Sequence, residues 1–363
     1  MAEGWAKSCN LSNTHAIFED TRLVSLIQII PYKIWLGGRS LDMGGIGGVA
    51  TWADCQGKGY ASILMHDSVT AMRKMLMPVS TLYPFSFRYY GKFGWEIAGH
   101  SIKYKEFQQH QITPFAEREM VIAGAETENI TLLNDVYEKM AMRYNLCIKR
   151  NPKIWKKKLD DLEKSGDQCY VIRDGKTYIG WFFCRNIRHG YFFESLTNEF
   201  AFTNDTALKA MMGFMSSLPT NVKKITIVSP YNVDLWRYFK EPFIETELRT
   251  AMQFRVVDIQ SAVKARGYRD ECKGKLVVGI SDAHGEWNNG AWTIEVEGGN
   301  ASIKKGGTPD VEMDIQTFSR LFCGYSKAEQ MLWQGRLCLN KDSAPTLLDS
   351  FFHDYPTLMI DWF

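Results

Sequence analysis

A chain of 363 residues exceeds what one ordinary hydrophobic core accommodates, so we expect two or three domains. Its composition, 45% hydrophobic and 23% charged, is that of a folded soluble protein, and a net charge of +2 argues against nucleic-acid-binding and membrane-surface proteins. No apolar run approaches the roughly 20 residues that a membrane-spanning helix requires.

The cysteines show no Cys-x-x-Cys pair and no framework typical of a small disulfide-rich domain. They are Cys9, Cys55, Cys147, Cys169, Cys184, Cys272, Cys323 and Cys338. Because no secretory signal is recognisable, this scatter indicates reduced thiols and a cytoplasmic protein. The His and Cys residues lack ligand spacing, so no metal site is expected.

The first block, residues 1–112, is predicted to be a mixed α/β domain. Residues 14–36 read as two strands joined at "EDTR", and residues 44–52 as a glycine-rich strand. A helix follows from near Tyr60, a short strand spans "PVSTLYPF", a short helix or turn spans "SFRYYGKFG", and a strand begins at Trp95. The helix has apolar residues at helical spacing: Ile63 or Leu64, Val69 or Ser68, Met72 and Met75.

Two further blocks follow. Residues 113–256 are predicted to form a second α/β domain, with helices at 128–145, 152–165 and 205–217 and a hairpin turning at Asp174-Gly175. Residues 257–363 show strands in "KLVVGISDA", "GAWTIEVEGG", "NASIKKG" and "VEMDIQT", and helices from "TFSRLFCGY". This third block is predicted to be an α+β domain.

The junction "ATWADCQGKGYAS", residues 50–62, places two glycines between a strand and a helix. Gly57 and Gly59 let backbone N–H groups approach an anion, and the helix N-terminus adds donors and partial positive charge. A diphosphate suits such a site. A plain strand-to-helix turn uses the same residues, and the loop is neither a Walker loop nor a dinucleotide fingerprint.

The pattern Gln56-x-x-Gly59-x-Ala61 resembles the pyrophosphate loop with which GNAT acetyltransferases bind coenzyme A. "RYYGKFGWE" at 88–96 is similar to a segment of the Eis (enhanced intracellular survival) acetyltransferases, as are "MGGIGGVAT", "GEWNNGAWTIEVE" and the terminal "IDWF". The resemblance implies two GNAT-like mixed-sheet domains followed by a sterol-carrier-protein-like α+β domain. It also implies acetyl-CoA as cofactor and a hexameric homo-oligomer.

By that resemblance, backbone groups of the strand end contact the pantetheine arm and the loop holds the phosphates. The residues implied are Val49, Ala50 and Thr51 for the arm, Gln56, Gly57, Lys58, Gly59, Tyr60, Ala61 and Ser62 for the loop, and Phe85 and Ser86 near the thioester. The second block has no such loop after "YFFESLTNEF", so it is expected to be structural.

Acetyl transfer to an amine requires an acid for the leaving thiolate and a base for the attacking ammonium. Tyr90 occupies the position of the Eis proton donor, and a phenol with a pKa near 10 suits that role. Tyr89 is the alternative; Tyr90 is preferred because it directly precedes the Gly-Lys-Phe-Gly run. A packing tyrosine is the plain structural reading.

The apolar ending "LMIDWF" indicates a docked chain terminus, because chain ends are normally polar and frayed. The resemblance implies that the α-carboxylate of Phe363 is the general base. Desolvation would raise its pKa from about 3.5 while leaving it low enough to be ionised. Simple plugging of a groove by Trp362 and Phe363 is the alternative, and His66 and Glu96 are rival bases.

Only thirteen residues precede the hairpin at 14–36, where a GNAT domain usually has a strand and two helices. The acceptor pocket is therefore expected to be incomplete or built differently. A polycationic acceptor favours an acidic pocket, but single acidic residues are usually solvated surface, so the sequence assigns none of these to it: Glu19, Asp20, Asp42, Glu194, Glu199 and Asp361.

The sequence thus predicts an acetyl-CoA-dependent N-acetyltransferase that acts on a multi-amine, aminoglycoside-like acceptor by direct transfer. Two alternatives stay open. One is a protein that binds an apolar ligand and has a crippled transferase site, and the other is a protein-lysine acetyltransferase.

Overall fold

The computed structural model describes residues 11–123 and 129–363, so Cys9 and residue 128, where one helix was predicted to begin, lie outside the described residues. The chain divides into two compact units. The first comprises the described residues up to Gly99, Tyr144–Ile148 and Ala251–Phe363, and the second comprises His100–Arg143 and Lys149–Thr250. The division into three domains at 112/113 and 256/257 stays a prediction.

The sheet that opens the first unit has the order β1-β2-β3-β4-β11. Its strands are β1 (Thr14–Glu19), β2 (Arg22–Leu36), β3 (Arg39–Thr51), β4 (Val79–Leu82) and β11 (Thr246–Val256). β3 and β4 are parallel, and the other neighbours are antiparallel. β3 begins five positions before the predicted start at Gly44. Its first positions lack a clean alternation, because Arg39 is exposed on the same face as the buried Leu41 and Met43 while Asp42 is exposed on the other face.

The helix α1 (Tyr60–Lys74) packs on this sheet through one apolar face. Its buried residues are Leu64, Met65, Ser68, Val69 and Met72. Of the predicted alternatives, Leu64 is the buried one, whereas Ile63 is 57% exposed. The short α2 (Phe87–Gly91) follows β4, and β5 (Glu96–Phe107) then crosses from the first unit into the second.

The C-terminal part of the first unit is an α+β structure with a five-stranded sheet of order β14-β13-β12-β15-β16. Its strands are β12 (Gly274–Ser281), β13 (Gly290–Glu297), β14 (Asn300–Lys305), β15 (Val311–Asp314) and β16 (Cys338–Leu339). Its helices are α6 (Ile259–Ala265), α7 (Ile315–Phe322), α8 (Ala328–Trp333) and α9 (Ala344–Phe352). β15 ends earlier than predicted because the Asp314 carboxylate caps α7, accepting from the Thr317 N–H at 2.7 Å.

The second unit contains strands in the order β5-β10-β9-β8-β7-β6. These are β6 (Val121–Ile122), β7 (Gln168–Asp174), β8 (Thr177–His189), β9 (Phe192–Phe202) and β10 (Val222–Pro230), beside the second-unit part of β5. Its helices are α3 (Ile130–Ala141), α4 (Pro152–Ser165) and α5 (Asp205–Ser216). The hairpin of β7 and β8 turns at the predicted Asp174-Gly175 pair.

None of the helices described here is both long and apolar enough to cross a bilayer.

Asn145 anchors the chain segment that leads to the C-terminus, within the first unit. Its backbone accepts from Leu358 N–H at 2.9 Å and donates to Pro356 O at 2.8 Å. Its fully buried side chain accepts from Gly37 N–H at 2.7 Å and donates to Cys323 O at 3.0 Å. These bonds tie the β2–β3 turn and the terminal segment to one residue.

We expect Asn145→Ala to lower the free energy of unfolding by roughly 2–3 kcal/mol, because it leaves a buried N–H and a buried carbonyl without their partner. Urea unfolding followed by circular dichroism measures this change. Asn221→Ala, which alters an exposed asparagine, is the matched control and should be neutral. Equal stability of the two variants would contradict the anchoring role.

Candidate active site

The glycine loop before α1 faces open space. Gly57 and Gly59 have φ of +80° and +84°, and a methyl group built on either residue meets no atom within 4 Å. Gly59 is the N-cap of α1, and no side chain caps this helix end. The first-turn N–H groups of a helix lack intrahelical acceptors, so the loop offers donors to an incoming anion. These residues therefore fit the diphosphate of coenzyme A.

Two cations stand at the same loop, each beside a carboxylate. Lys58 Nζ lies 2.8 Å from Glu19 Oε1, and the Tyr60 hydroxyl donates to the same oxygen. Hydrogen bonds from Lys58 and then Tyr60 lower the pKa of the Glu19 carboxyl. Arg22 makes a two-pronged pair with Asp54 at 2.6 and 2.9 Å. Such exposed pairs are weak, so a diphosphate can compete for both cations.

β3 parts from β4 next to this loop. The parallel pairs end where Ile46 faces Leu82, whereas β3 stays paired with β2 as far as Thr51. Within this continuation, the Ser25 hydroxyl donates to the Ala50 carbonyl at 3.1 Å. The predicted arm-binding residues, Val49, Ala50 and Thr51, thus lie on the stretch of β3 that lies beyond its pairs with β4.

Tyr90 lies on α2 and is 3% exposed, within the apolar cluster that also contains Ile46 and Leu82. Burial, and secondarily Tyr89, raise the pKa of Tyr90 to about 12. The sequence analysis matched Tyr90 to a thiolate on the basis of a phenol pKa near 10. That value is corrected upward, because the Tyr90 ring is packed in an apolar environment. The neighbouring Tyr89 hydroxyl is buried and has no hydrogen-bond partner among the described residues.

Phe85 and Ser86, the predicted cofactor contacts, immediately precede α2. The Ser86 hydroxyl caps this helix, accepting from the Tyr89 N–H at 3.2 Å. Phe85 is 73% exposed, and its ring centroid lies 5.2 Å from that of Tyr90. Phe85 therefore presents an exposed apolar surface next to the candidate acid.

The C-terminus is docked in the first unit, beside the point where β3 and β4 part. A methyl group on Gly45 would lie 2.6 Å from the Phe363 ring, and one on Gly47 would lie 3.9 Å from the terminal carboxyl carbon. The terminal carboxyl group therefore lies over the first β3 residue beyond Ile46. The apolar ending predicted a docked terminus but not its position against Gly45 and Gly47. The Gly44-Gly45-Ile46-Gly47 run, which is unusual within a strand, was the sequence signal that another chain segment approaches this backbone closely.

Aromatic side chains surround this terminus. The ring of Tyr32 lies 5.0 Å from that of Phe363, and the ring of Tyr83 lies 3.9 Å from that of Trp362 in a stacked geometry. Burial, and then the Asp361 carboxylate, raise the pKa of Tyr32 to about 12. The sequence does not predict Tyr32 and Tyr83 as contacts, because nothing local relates them to a terminal segment more than 270 residues away.

The rival bases are engaged elsewhere. His66 lies on α1 with Nδ1 3.2 Å from Nδ1 of His284, and desolvation, followed by Arg255, lowers the pKa of His284. The Glu96 carboxylate lies 2.8 Å from Arg336. Several of the acidic residues named for an acceptor pocket are paired with cations: Glu19 with Lys58, Asp42 with Lys33, and Glu199 with Arg150 and Lys158. The Glu194 carboxylate lies 3.7 Å from Nε2 of His189.

The second unit closes the corresponding helix end with a side chain. Asn204 caps α5, and its amide oxygen accepts from the Ala207 N–H at 3.0 Å. Asp205 adds a negative charge to the first turn. Because an acidic, capped helix end repels an anion, this junction does not fit a diphosphate.

Comparison with known proteins identifies two of these regions. Residues 1–98 match the family model of the acetyltransferase (GNAT) domain, and residues 259–359 match that of the sterol carrier protein domain. No curated protein sequence matches the chain.

Three solved structures share its fold. A GCN5-related N-acetyltransferase from Anabaena variabilis has a TM-score of 0.91 at 22% identity, covering 100% of this chain and 92% of that one. A probable N-acyltransferase from Enterococcus faecalis has a TM-score of 0.86 at 23% identity, covering 97% of this chain and 90% of that one. Eis1 from Mycobacterium abscessus has a TM-score of 0.81 at 17% identity, covering 98% of this chain and 91% of that one. The predicted fold class is confirmed.

We expect Tyr90 to stay protonated until near pH 12, because its ring is buried. The phenolate absorbance of Tyr90→Phe should therefore match that of the parent protein as the pH is raised to about 10.5. Loss of the absorbance of one phenolate from Tyr90→Phe over this range would contradict the raised pKa.

Proposed function

We propose that this chain, whose residues 1–98 match the acetyltransferase (GNAT) domain and whose residues 259–359 match the sterol carrier protein domain, is an Eis-like N-acetyltransferase that transfers the acetyl group of acetyl-CoA directly to an amine of a multi-amine, aminoglycoside-like acceptor. The observation that carries this proposal is the seat of the Phe363 carboxyl over Gly47, where β3 has parted from β4. A carboxylate held at that point is available to an amine that enters beside the strand.

The chain's own residues would hold acetyl-CoA, which supplies an acetyl group activated as a thioester. Gln56 through Ser62 would bind the diphosphate through backbone N–H groups, with Lys58 and Arg22 as counter-charges. Val49, Ala50 and Thr51 would align the pantetheine arm, and Phe85 and Ser86 would lie near the thioester.

Two groups of the chain would move the protons. The Phe363 carboxylate takes the proton that the attacking amine loses, and Tyr90 Oη gives its proton to the departing sulfur as the C–N bond forms and the C–S bond breaks. Proton transfer from a phenol with a pKa of about 12 to a thiolate whose thiol has a pKa near 8.5 is unfavourable by roughly 5 kcal/mol. This proton transfer therefore has to accompany C–S cleavage.

A direct transfer agrees with the state of several cysteines. Burial raises the pKa of four of the thiols in the described part of the chain, and a protonated thiol is a poor nucleophile. They are Cys169, Cys184, Cys272 and Cys323.

The apolar-ligand alternative receives no support from the C-terminal helices. The rings of Phe318, Phe322 and Phe352 pack on each other with centroids 5.3–5.9 Å apart. These side chains pack between α7 and α9.

We also propose that the protein is a hexamer and is located in the cytoplasm. Light scattering after size-exclusion chromatography tests the hexamer.

Release of free thiol on mixing the protein with acetyl-CoA and kanamycin tests the activity. We expect release that depends on the amine, and a panel of aminoglycosides, simple diamines and lysine-containing peptides ranks the acceptors. Turnover of peptides alone would favour the protein-lysine alternative. Acetyl-CoA binding without turnover of any amine would contradict the proposal.

We expect Tyr90→Phe, and separately a one-glycine extension after Phe363, to lower kcat by roughly 10²–10⁴-fold while the acetyl-CoA affinity stays within about twofold, since each removes a proton-transfer group. Thiol release and calorimetry measure these quantities. A glycine added at the N-terminus is the matched control. Full activity of the extended chain would refute the assignment of the base.

We expect Gly59→Ala to weaken acetyl-CoA binding roughly tenfold, since the added methyl occupies the space that faces the diphosphate and the positive φ is strained for alanine. Isothermal titration calorimetry measures the change in Kd. Gly190→Ala introduces the same kind of strain at φ +65°, in a hairpin of the second unit, and should leave the Kd unchanged. Equal affinities for both variants would refute the phosphate role of the loop.

A further inference from the structure

Tyr83 holds the last three residues of the chain by three contacts. Its hydroxyl donates to the Asp361 carbonyl at 2.9 Å. Its ring stacks on that of Trp362, with centroids 3.9 Å apart and planes 17° apart. The same ring meets the edge of Phe363, with centroids 5.7 Å apart. One side chain thus contacts each of the three terminal residues.

The terminus needs such a contact, because Trp362 is 71% exposed. A free chain end samples many backbone conformations, and a terminal carboxylate is held only as firmly as the two or three residues before it. Phe363 itself is held through its ring, which lies against Gly45 and Tyr32. Tyr83 adds a hydrogen bond to Asp361 and a stack on Trp362, the two residues immediately before it.

Tyr83 also lies close in sequence to the candidate acid. It follows β4, two residues before Phe85, whose ring contacts Tyr90. A short segment, residues 83–86, therefore contacts the terminal segment at one end and the Tyr90 ring at the other. Displacement of this segment would change the positions of both groups.

We propose that Tyr83 is the positioning residue for the Phe363 carboxylate, holding the chain terminus in the seat over Gly47 by stacking on Trp362 and hydrogen-bonding to Asp361. The inference rests on the proposed function, in which that carboxylate is the base. Tyr83 itself takes no part in proton transfer; it acts through the terminal segment.

The full-length protein tests this role with two readouts. The first is the rate at which a carboxypeptidase that prefers aromatic residues releases Phe363, measured by mass spectrometry. The second is the steady-state kinetics of thiol release with acetyl-CoA and kanamycin. Tyr83→Leu removes the stack and the hydrogen bond, Tyr83→Phe removes only the hydrogen bond, and Tyr191→Phe is the control.

We expect Tyr83→Leu to release Phe363 roughly tenfold faster and to lower kcat roughly 10–100-fold, with the KM for acetyl-CoA unchanged. Tyr83→Phe, which keeps the stack, should recover most of kcat. Gly45→Ala places a methyl group where the Phe363 ring lies and should have the same two effects, which provides a second route if Tyr83→Leu folds poorly. Gly91→Ala, where a methyl meets no atom within 4 Å, should not change the release rate.

The outcomes separate this role from the proposed function. Unchanged release of Phe363 from both Tyr83→Leu and Gly45→Ala overturns the positioning role and leaves the base assignment untouched. Faster release with unchanged kcat refutes the carboxylate as base, and the positioning role falls with it. A lower kcat without faster release also overturns the proposal, because Tyr83 would then act other than through the terminus.

Discussion

Docking of the chain's last residue against β3 is the contact on which the site depends. The ring of Phe363 lies where a side chain on Gly45 would be, and its carboxyl group lies over Gly47, just beyond the last pair between β3 and β4. A side chain on Gly45 would displace the Phe363 ring. The sheet of the acetyltransferase domain and the end of the chain, far apart in sequence, therefore meet at the proposed site.

Buried polar contacts link the C-terminal α+β structure to the sheet that opens the first unit. Arg255 on β11 makes a two-pronged pair with Asp282 at 2.7 and 2.9 Å and donates to the Phe93 carbonyl. Burial lowers the pKa of Arg255 and Asp282 opposes that shift, so the charge is maintained by its partner. With Asn145 at the start of the terminal segment, these bonds link the C-terminal α+β structure to the residues after α2. Stability and the geometry of the site thus depend on the same buried bonds.

Local patterns in the sequence predicted much of the fold. Helical spacing located α1, and the two glycines of the loop lie at its N-terminus with positive φ, as a phosphate-binding turn requires. Non-local contacts were not predictable: β11 pairs with β4, although more than 160 residues separate them, and Asn145 joins the first unit. The pKa of Tyr90 was also missed, because burial in a three-dimensional cluster leaves no local trace. The terminal apolar residues indicated docking, but only the structure identifies Tyr32, Tyr83, Gly45 and Gly47 as their contacts.

A crystal structure of the protein with coenzyme A tests the central claim most directly. The account predicts the diphosphate on the N–H groups of residues 57–61, and the sulfur within reach of both Tyr90 Oη and the Phe363 carboxylate, with the terminus still seated over Gly47. A diphosphate bound elsewhere, or a terminus displaced from β3 while coenzyme A occupies the loop, would contradict it.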